Sequence, residues 1–99
     1  MIHEFHPAAR DEFAATVDFY ESAVPGLGRR LREAVAATLT RLDAFPASGM
    51  PTPGGFRRGT VSGFPYDLIY DAGKDVLQVL AVAHHRRKPG YWQNREAGR

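Results

Sequence analysis

The sequence contains no cysteine, which excludes a disulfide framework and any metal site built from thiolates. No apolar run approaches the length that spans a bilayer, and the N-terminal residues lack the apolar core of a signal peptide. These absences predict a cytoplasmic protein with no membrane partner. A chain of 99 residues is predicted to form one domain over 1–99, which is long enough to bury a modest core.

Several catalytic and cofactor motifs are also missing. The chain has four histidines, His3, His6, His84 and His85, and they do not occur at the spacing of a zinc-binding motif. The segment 25–28 (PGLG) lacks the lysine and the strand-to-helix setting of a phosphate-binding loop, so neither a metal nor a cofactor is expected. No carboxylate occurs between Ala44 and Tyr66. A metal-free ribonuclease needs a general base beside its phosphate-binding cations, and this stretch supplies none.

The net charge of +2 is unevenly distributed along the chain. Residues 1–43 hold five Lys/Arg and seven Asp/Glu, a charge of −2, whereas residues 44–99 hold eight and four, a charge of +4. The second half is therefore predicted to meet an acidic partner, either nucleic acid or an acidic protein surface.

The first half of the chain predicts one strand and two helices. Residues 2–6 alternate apolar and polar side chains, as in a short strand, and Pro7 suits the first position of a helix. Helical spacing then relates Phe13, Val17, Tyr20 and Val24. We interpret the acids on the other faces of this helix as solvent-exposed: Asp11, Glu12, Asp18 and Glu21.

A second helix is predicted from about Leu27 to Ala44, after the break at Pro25-Gly26. Its apolar stripe comprises Leu31, Val35, Thr38, Leu39 and Leu42. Arg29, Arg30 and Arg32 form either a phosphate-binding patch or, in our preferred interpretation, solubilising charges. Two amphipathic helices with so short a break predict an antiparallel helical hairpin.

The second half predicts a turn-rich loop over 46–55, a strand over 56–61 and a β-hairpin with strands over 66–70 and 76–83. The order β-α-α-β-β-β predicts an α+β fold with the helical hairpin on one face of a small antiparallel sheet. Alternation places Leu77, Val79, Ala81 and Ala83 on one face of the last strand, and Val76, Leu80 and Val82 on the other. Both faces are apolar. The face away from the helices therefore needs a cover, from the C-terminal tail or from a second protein.

A cationic cluster follows that strand and is the strongest candidate for function. Arg86, Arg87 and Lys88 are preceded by His84-His85 and followed by Tyr91-Trp92. Arginine binds phosphate in bidentate fashion, histidine carries protons near neutral pH, and tyrosine is a weaker acid or base. Alternation predicts that His84 and His85 point to opposite faces, so that one of them faces any given site.

In these residues the chain resembles the RelE/ParE superfamily of toxins from type II toxin–antitoxin modules. The most specific block is 81–92, of the form AVxHxRRxPxYW. Weaker blocks spread the resemblance over nearly the whole chain: Phe19-Tyr20-Glu21, Pro25-Gly26-Leu27-Gly28, Phe45-Pro46, Phe64-Pro65-Tyr66 and Ile69-Tyr70. The superfamily fold is β-α-α-β-β-β, in agreement with the elements predicted above.

The resemblance implies a bacterial toxin neutralised by a cognate antitoxin in a hetero-oligomer that binds operator DNA only through the antitoxin. ParE-like members inhibit DNA gyrase, and RelE-like members cleave mRNA on the ribosome with cationic clusters and a tyrosine, or with Glu, His and Tyr. The missing carboxylate between Ala44 and Tyr66, and a second helix without clustered lysines, favour the ParE-like branch. An inactive member kept as an antitoxin partner is a third hypothesis, which we rank last.

The resemblance also assigns residues to roles. The target or a phosphate is expected to contact Arg57, Arg58, Arg86, Arg87 and Lys88. Antitoxin contacts are expected at Leu80, Val82, Tyr91 and Trp92. If the chain is RelE-like, the catalytic residues are expected to be His84, His85, Arg87 and Tyr91. If it is ParE-like, it has no catalytic residue.

Overall fold

The structure, a computed structural model, describes residues 2–95. In chain order the main elements are β1 (Ile2–Phe5), α1 (Pro7–Ala23), α2 (Leu27–Ala44), β2 (Met50–Thr52), β3 (Phe56–Thr60), β4 (Tyr66–Ala72) and β5 (Val76–His84). Short 3₁₀ turns follow α2, at Pro46–Ser48, and β5, at Tyr91–Asn94. Both helices and the four predicted strands lie where the sequence places them, to within a few residues at their ends.

The strands form one five-stranded sheet in the order β1-β5-β4-β3-β2. The predicted α+β fold with a helical hairpin on one face is confirmed, but the sheet is mixed, because β1 pairs with β5 in parallel. The prediction of a purely antiparallel sheet was wrong at this pair. Alternation of apolar residues shows that a segment is a strand but carries no information about its direction, and two helices separate β1 from the other strands.

Strand β2 lies inside the segment 46–55 that the sequence predicts to be a loop. It is a three-residue edge strand that pairs antiparallel with β3, and Pro51 is its central residue. Proline removes a backbone donor, so a proline-rich segment favours a loop unless the strand lies at a sheet edge, as this one does.

The main core lies between the helices and one face of the sheet. Its buried members are Ala9, Val17, Leu31, Val35, Leu39, Leu42, Val61, Leu68, Tyr70, Leu77, Val79 and Val82. A smaller cluster on the opposite face comprises Ile69, Ala81, Ala83 and Trp92. The C-terminal turn therefore covers part of the second face of the sheet, which was one of the two covers expected from the sequence.

A β-bulge at Leu80 corrects the predicted alternation in β5. Ile69 pairs with Ala81 and the next residue, Tyr70, pairs with Val79, so Leu80 has no partner in β4. The extra residue reverses the direction of the side chains that follow it. As a result Leu77 and Val79 face the helices, whereas Ala81 and Ala83, which strict alternation places with them, face the other side.

Glu21 is exposed, as predicted, and it also joins the two helices. Its carboxylate accepts hydrogen bonds from the backbone N–H of Gly26 at 2.9 Å and of Gly28 at 3.0 Å. The N–H of Gly26 is the main reason why the pKa of Glu21 is lower than usual. Two N–H groups at the start of α2 therefore have partners that the helix itself cannot supply.

Gly28 marks a close approach between α1 and α2. A Cβ at this position would lie 2.8 Å from the carbonyl oxygen of Val17 and 2.9 Å from Glu21 Cβ. We expect Gly28→Ala to lower the free energy of unfolding by about 1–3 kcal/mol, because the helices would have to separate. Urea unfolding measures this loss, and Ala37→Ser on the exposed face of α2 should stay within about 0.5 kcal/mol of the parent. Equal stability of Gly28→Ala and the parent would contradict the close approach.

Candidate functional site

A groove of about 270 Å³ opens on the face of the sheet that the helices leave uncovered. We call it the basic groove. Its side walls carry charged residues and its floor is apolar; the lining that matters chemically is Arg58, Asp67, Ile69, Ala83, His85, Arg87 and Trp92. The strands β3, β4 and β5 supply the floor, and the segment after β5 supplies the remaining wall.

The two arginines of β3 have different positions. Arg58 lines the basic groove, is exposed, and donates from Nη2 to the sulfur of Met50 at 3.0 Å. Arg57 points to the other side of the strand, and its Nη1 donates to the carbonyl oxygens of Ala47 at 3.2 Å and Gly49 at 2.8 Å. The guanidinium of Arg57 is therefore occupied in holding the segment before β2, and Arg58 is the residue of this pair that faces the groove.

The rings of His84 and His85 point to opposite faces, as predicted, although both residues border the basic groove. The ring of His84 packs edge-to-face on Tyr66 with ring centroids 5.0 Å apart, and its Nδ1 accepts from the backbone N–H of Arg86. His85 lies on the groove side, where Nε2 is 3.2 Å from Oδ1 of Asp67. His85 is thus the histidine placed to act in the basic groove.

Asp67 is the acidic residue of the groove, and the sequence analysis did not predict it. It lies just beyond the stretch from Ala44 to Tyr66 that was searched for a general base, and its side chain is only 14% exposed. Alternation in β4 places Asp67 on the same face as Ile69, which was the available signal. A site assembled from adjacent strands does not correspond to one continuous stretch of sequence. Asp67 was therefore not predicted.

Of the cationic cluster, only Arg87 lines the groove. Its guanidinium carbon lies 3.9 Å from the ring centroid of Tyr91, a distance typical of a cation–π contact. Arg86 and Lys88 are exposed and do not line the groove. The predicted cluster is therefore divided between one arginine that a neighbouring ring holds in the groove and two cations that face solvent.

Tyr91 is held in its neutral form. Burial is the main reason, followed by the negative charge of Glu12, and together they raise the pKa of Tyr91 to about 12 although Arg87 and Arg95 act in the opposite sense. A phenol with such a pKa is a poor general base at neutral pH. The ring serves instead as a surface for the guanidinium groups of Arg87 and Arg95, at 3.9 Å and 5.0 Å.

Three of the residues predicted to contact an antitoxin are buried within the chain. Leu80 is fully buried, and Val82 and Trp92 are only 4% and 7% exposed. Trp92 packs on Ile69, Ala81 and Ala83, and its buried indole nitrogen has no hydrogen-bond partner among residues 2–95. Val82 belongs to the main core between the helices and the sheet, so movement of the C-terminal turn would not expose it, whereas Tyr91 is partly exposed already.

Glu12 is the acid of α1 whose predicted exposure was wrong, because its side chain is only 19% exposed. It accepts from the backbone N–H of Val82 at 3.1 Å and pairs with Arg95 Nη2 at 2.9 Å. Helical spacing places Glu12 outside the apolar stripe of α1, but α1 packs against β5, and Glu12 lies at the edge of that contact.

The basic groove combines two arginines with a His–Asp pair above an apolar floor. Arg58 and Arg87 can bind a carboxylate or a phosphate, and the imidazole of His85, which lies 3.2 Å from Asp67, can accept or donate a hydrogen bond there. Within residues 2–95, no group of three or more His, Asp or Glu side chains is arranged to hold a metal ion. Neither helix of the described chain is long and apolar enough to cross a membrane.

A family model described as the ParE toxin of the type II toxin–antitoxin system parDE matches residues 3–89. The chain belongs to the ParE toxin family. This confirms the resemblance to the RelE/ParE superfamily drawn from the sequence. The family match ends at Pro89, so the 3₁₀ turn that contributes Trp92 to the groove lies beyond it.

The fold of this ParE-family chain agrees with a solved structure described as a chromosomal ParDE toxin–antitoxin system from P. aeruginosa. The TM-score is 0.74 at 18% sequence identity, and the similarity covers 85% of this chain and 95% of that chain. At this level of identity the similarity supports the fold alone. No protein of curated function matches the chain in sequence.

Proposed function

We propose that this ParE-family toxin is neutralised by a cognate antitoxin and acts by binding and inhibiting DNA gyrase. The observation that carries the proposal is the ParE family match over residues 3–89. The cationic end of β5 supports it, because Arg86, Arg87 and Lys88 follow one another at an exposed turn. Such a concentration of positive charge steers an acidic partner and fixes its orientation.

The state of the aromatic side chains also favours a binding role. Tyr91 has a pKa raised to about 12, which makes it a poor general base, and its ring is packed against two guanidinium groups. Arg58 and Arg87 line the groove without a carboxylate partner in an ion pair of the described chain. Arginines that form no ion pair within their own chain can bind carboxylates on another molecule.

The antitoxin is proposed to cover the same cations. An acidic segment laid over Arg58, Arg86 and Arg87 would neutralise the surface that binds the target. Tyr91 is the predicted antitoxin contact that such a segment could reach without a change in the fold, because it is half-buried. Contacts with Leu80, Val82 and Trp92 remain predictions, and so does operator binding through the antitoxin.

An in vitro supercoiling assay tests the gyrase proposal. Purified chain should inhibit supercoiling of relaxed plasmid by gyrase, and Arg87→Glu should need at least about tenfold more protein for the same inhibition, because it places a negative charge where the partner expects a cation. Supercoiling that is unaffected at concentrations of the chain that stop growth would contradict the proposal.

Cleavage of mRNA on the ribosome is the second candidate function, and the His85–Asp67 pair is the observation that favours it. Arg58 and Arg87 would hold the phosphate, and His85, oriented by Asp67 at 3.2 Å, would accept the proton of the attacking 2′-hydroxyl. His85 was a candidate from the sequence, and Asp67 would supply the carboxylate that the stretch from Ala44 to Tyr66 lacks.

Mapping of mRNA 5′ ends after induction of the chain tests this second function. New ends that depend on His85, and that disappear in His85→Ala but not in His84→Ala, would establish it. An unchanged set of ends during growth arrest would exclude it.

A further inference from the structure

Strand β5 is longer than the strand that pairs with its outer edge. The register between β1 and β5 ends where Phe5 meets Val79, and one further hydrogen bond runs from the N–H of His6 to the carbonyl oxygen of Val79. The next outward-facing backbone groups of β5 are the carbonyl of Leu80 and the N–H of Val82, which β1 does not reach. Buried backbone groups without partners are costly, so these two groups need partners from outside the sheet.

Two side chains provide those partners. The Oε1 atom of Glu12 accepts from the N–H of Val82 at 3.1 Å, and Nη1 of Arg95 donates to the carbonyl of Leu80 at 3.0 Å. The same two side chains form an ion pair at 2.9 Å, and each is only 19% exposed. We call this arrangement the Glu12–Arg95 clasp. It completes the edge of β5 and fastens the C-terminal segment to α1 and to the sheet.

The clasp is connected to the basic groove through Tyr91. The guanidinium carbon of Arg95 lies 5.0 Å from the ring centroid of Tyr91, and the guanidinium carbon of Arg87 lies 3.9 Å from it. The carboxylate of Glu12, which pairs with Arg95, is also one of the causes of the raised pKa of Tyr91. Tyr91 therefore lies next to both Arg95 and Arg87, and Arg87 in turn lines the basic groove.

We propose that Glu12 and Arg95 are positioning residues that act through Tyr91 to hold the guanidinium of Arg87 in the basic groove. The inference rests on the proposed function only in taking Arg87 as a residue that contacts the target. Arg95 and Tyr91 lie beyond the family match, which ends at Pro89. Arg87 follows β5 in a turn, where the strand alone does not fix its side chain.

Proton NMR of Arg87 tests the positioning directly. In the parent chain the δ-methylene protons of Arg87 should be shifted upfield, because the side chain lies over the ring of Tyr91. Arg95→Gln removes the ion pair and should return these protons to ordinary arginine shifts. Arg95→Lys keeps a cation for Glu12 and should retain most of the shift. Loss of the shift in Arg95→Gln, with its partial retention in Arg95→Lys, is the expected result.

Two further variants separate positioning from general destabilisation. Glu12→Gln keeps an oxygen that can accept from the N–H of Val82 but loses the charge that pairs with Arg95, so it should also release Arg87. Glu33→Gln makes the same change at the exposed Arg29–Glu33 pair of α2, where the charged atoms are 3.6 Å apart, and should leave the Arg87 signals unchanged. An Arg87 shift that persists in both Arg95→Gln and Glu12→Gln would overturn the proposal.

Growth arrest provides a readout that does not depend on the identity of the target. Folded Arg95→Gln and Glu12→Gln variants should need at least about tenfold more expression than the parent to stop growth, as expected for misplacement of a binding cation. Full toxicity of folded variants whose Arg87 has been released would also overturn the positioning role. Because neither the NMR nor the growth readout uses gyrase, failure of the gyrase proposal would leave this test intact.

Discussion

Replacing Trp92 with alanine is expected to lower the free energy of unfolding by about 3–5 kcal/mol, the range for removal of a large aromatic side chain from a core. Trp92 is 7% exposed and packs on Ile69, Ala81 and Ala83, on the side of the sheet that the helices leave uncovered. Without the indole, this small cluster would lose its cover. Apolar surface of this kind is otherwise found where a partner binds.

Urea unfolding followed by circular dichroism measures this effect, because Trp92 is the only tryptophan and its fluorescence is lost with it. Trp92→Phe is the matched control. It keeps an aromatic cover and removes a buried indole N–H that has no hydrogen-bond partner in the part of the chain that the structure describes, so its loss of stability should be well below that of Trp92→Ala. If the two variants and the parent were equally stable, the C-terminal turn would not belong to the core.

Reversing the charge of Arg87 is expected to abolish toxicity at expression levels at which the parent stops growth. Arg87 is the member of the cationic cluster that lines the basic groove, and Tyr91 holds its guanidinium at 3.9 Å. Arg87→Glu should weaken target binding by about tenfold to a hundredfold or more, because the substitution turns an attraction into a repulsion at a fixed position. Arg58→Glu, on the other side of the groove, should act in the same direction.

Lys74→Glu is the control for this reversal. Lys74 lies in the turn between β4 and β5, at the opposite end of the sheet from the groove, and the substitution makes the same change in net charge. It should leave toxicity within about twofold of the parent, since exposed charges beyond a Debye length are largely screened. Equal loss of toxicity in Lys74→Glu and Arg87→Glu would show that overall charge matters and that the groove does not.

The helices and long strands could be predicted because their patterns are local. The stripe from Leu31 to Leu42 in α2 is complete within one element, and burial confirms it. The direction of β1, the strand β2 and the bulge at Leu80 depend on contacts between distant segments, which leave no periodic signal in the sequence. A single extra residue in β5 was enough to reverse the predicted positions of Ala81 and Ala83.

The basic residues of the candidate site could be predicted from the sequence, but its acidic residues could not. Arg58, His85 and Arg87 were singled out from their cluster and their residue types, and the structure brings these three together. Asp67 and Glu12 were missed, because a carboxylate among other exposed acids looks the same in sequence whether it faces solvent or a neighbouring strand. Both acids bind groups remote in sequence, His85 and Val82, so only the folded chain shows their partners.

Expression of the chain without an antitoxin, with plasmid topology and mRNA ends measured in the same cells, tests the central claim most directly. The claim is that the chain is toxic through its basic groove and by inhibition of gyrase. It predicts that plasmid becomes relaxed before growth stops, that mRNA ends do not change, and that Arg87→Glu abolishes the relaxation. New mRNA ends in cells whose plasmid remains fully supercoiled would contradict it and would make His85 and Asp67 the residues to study next.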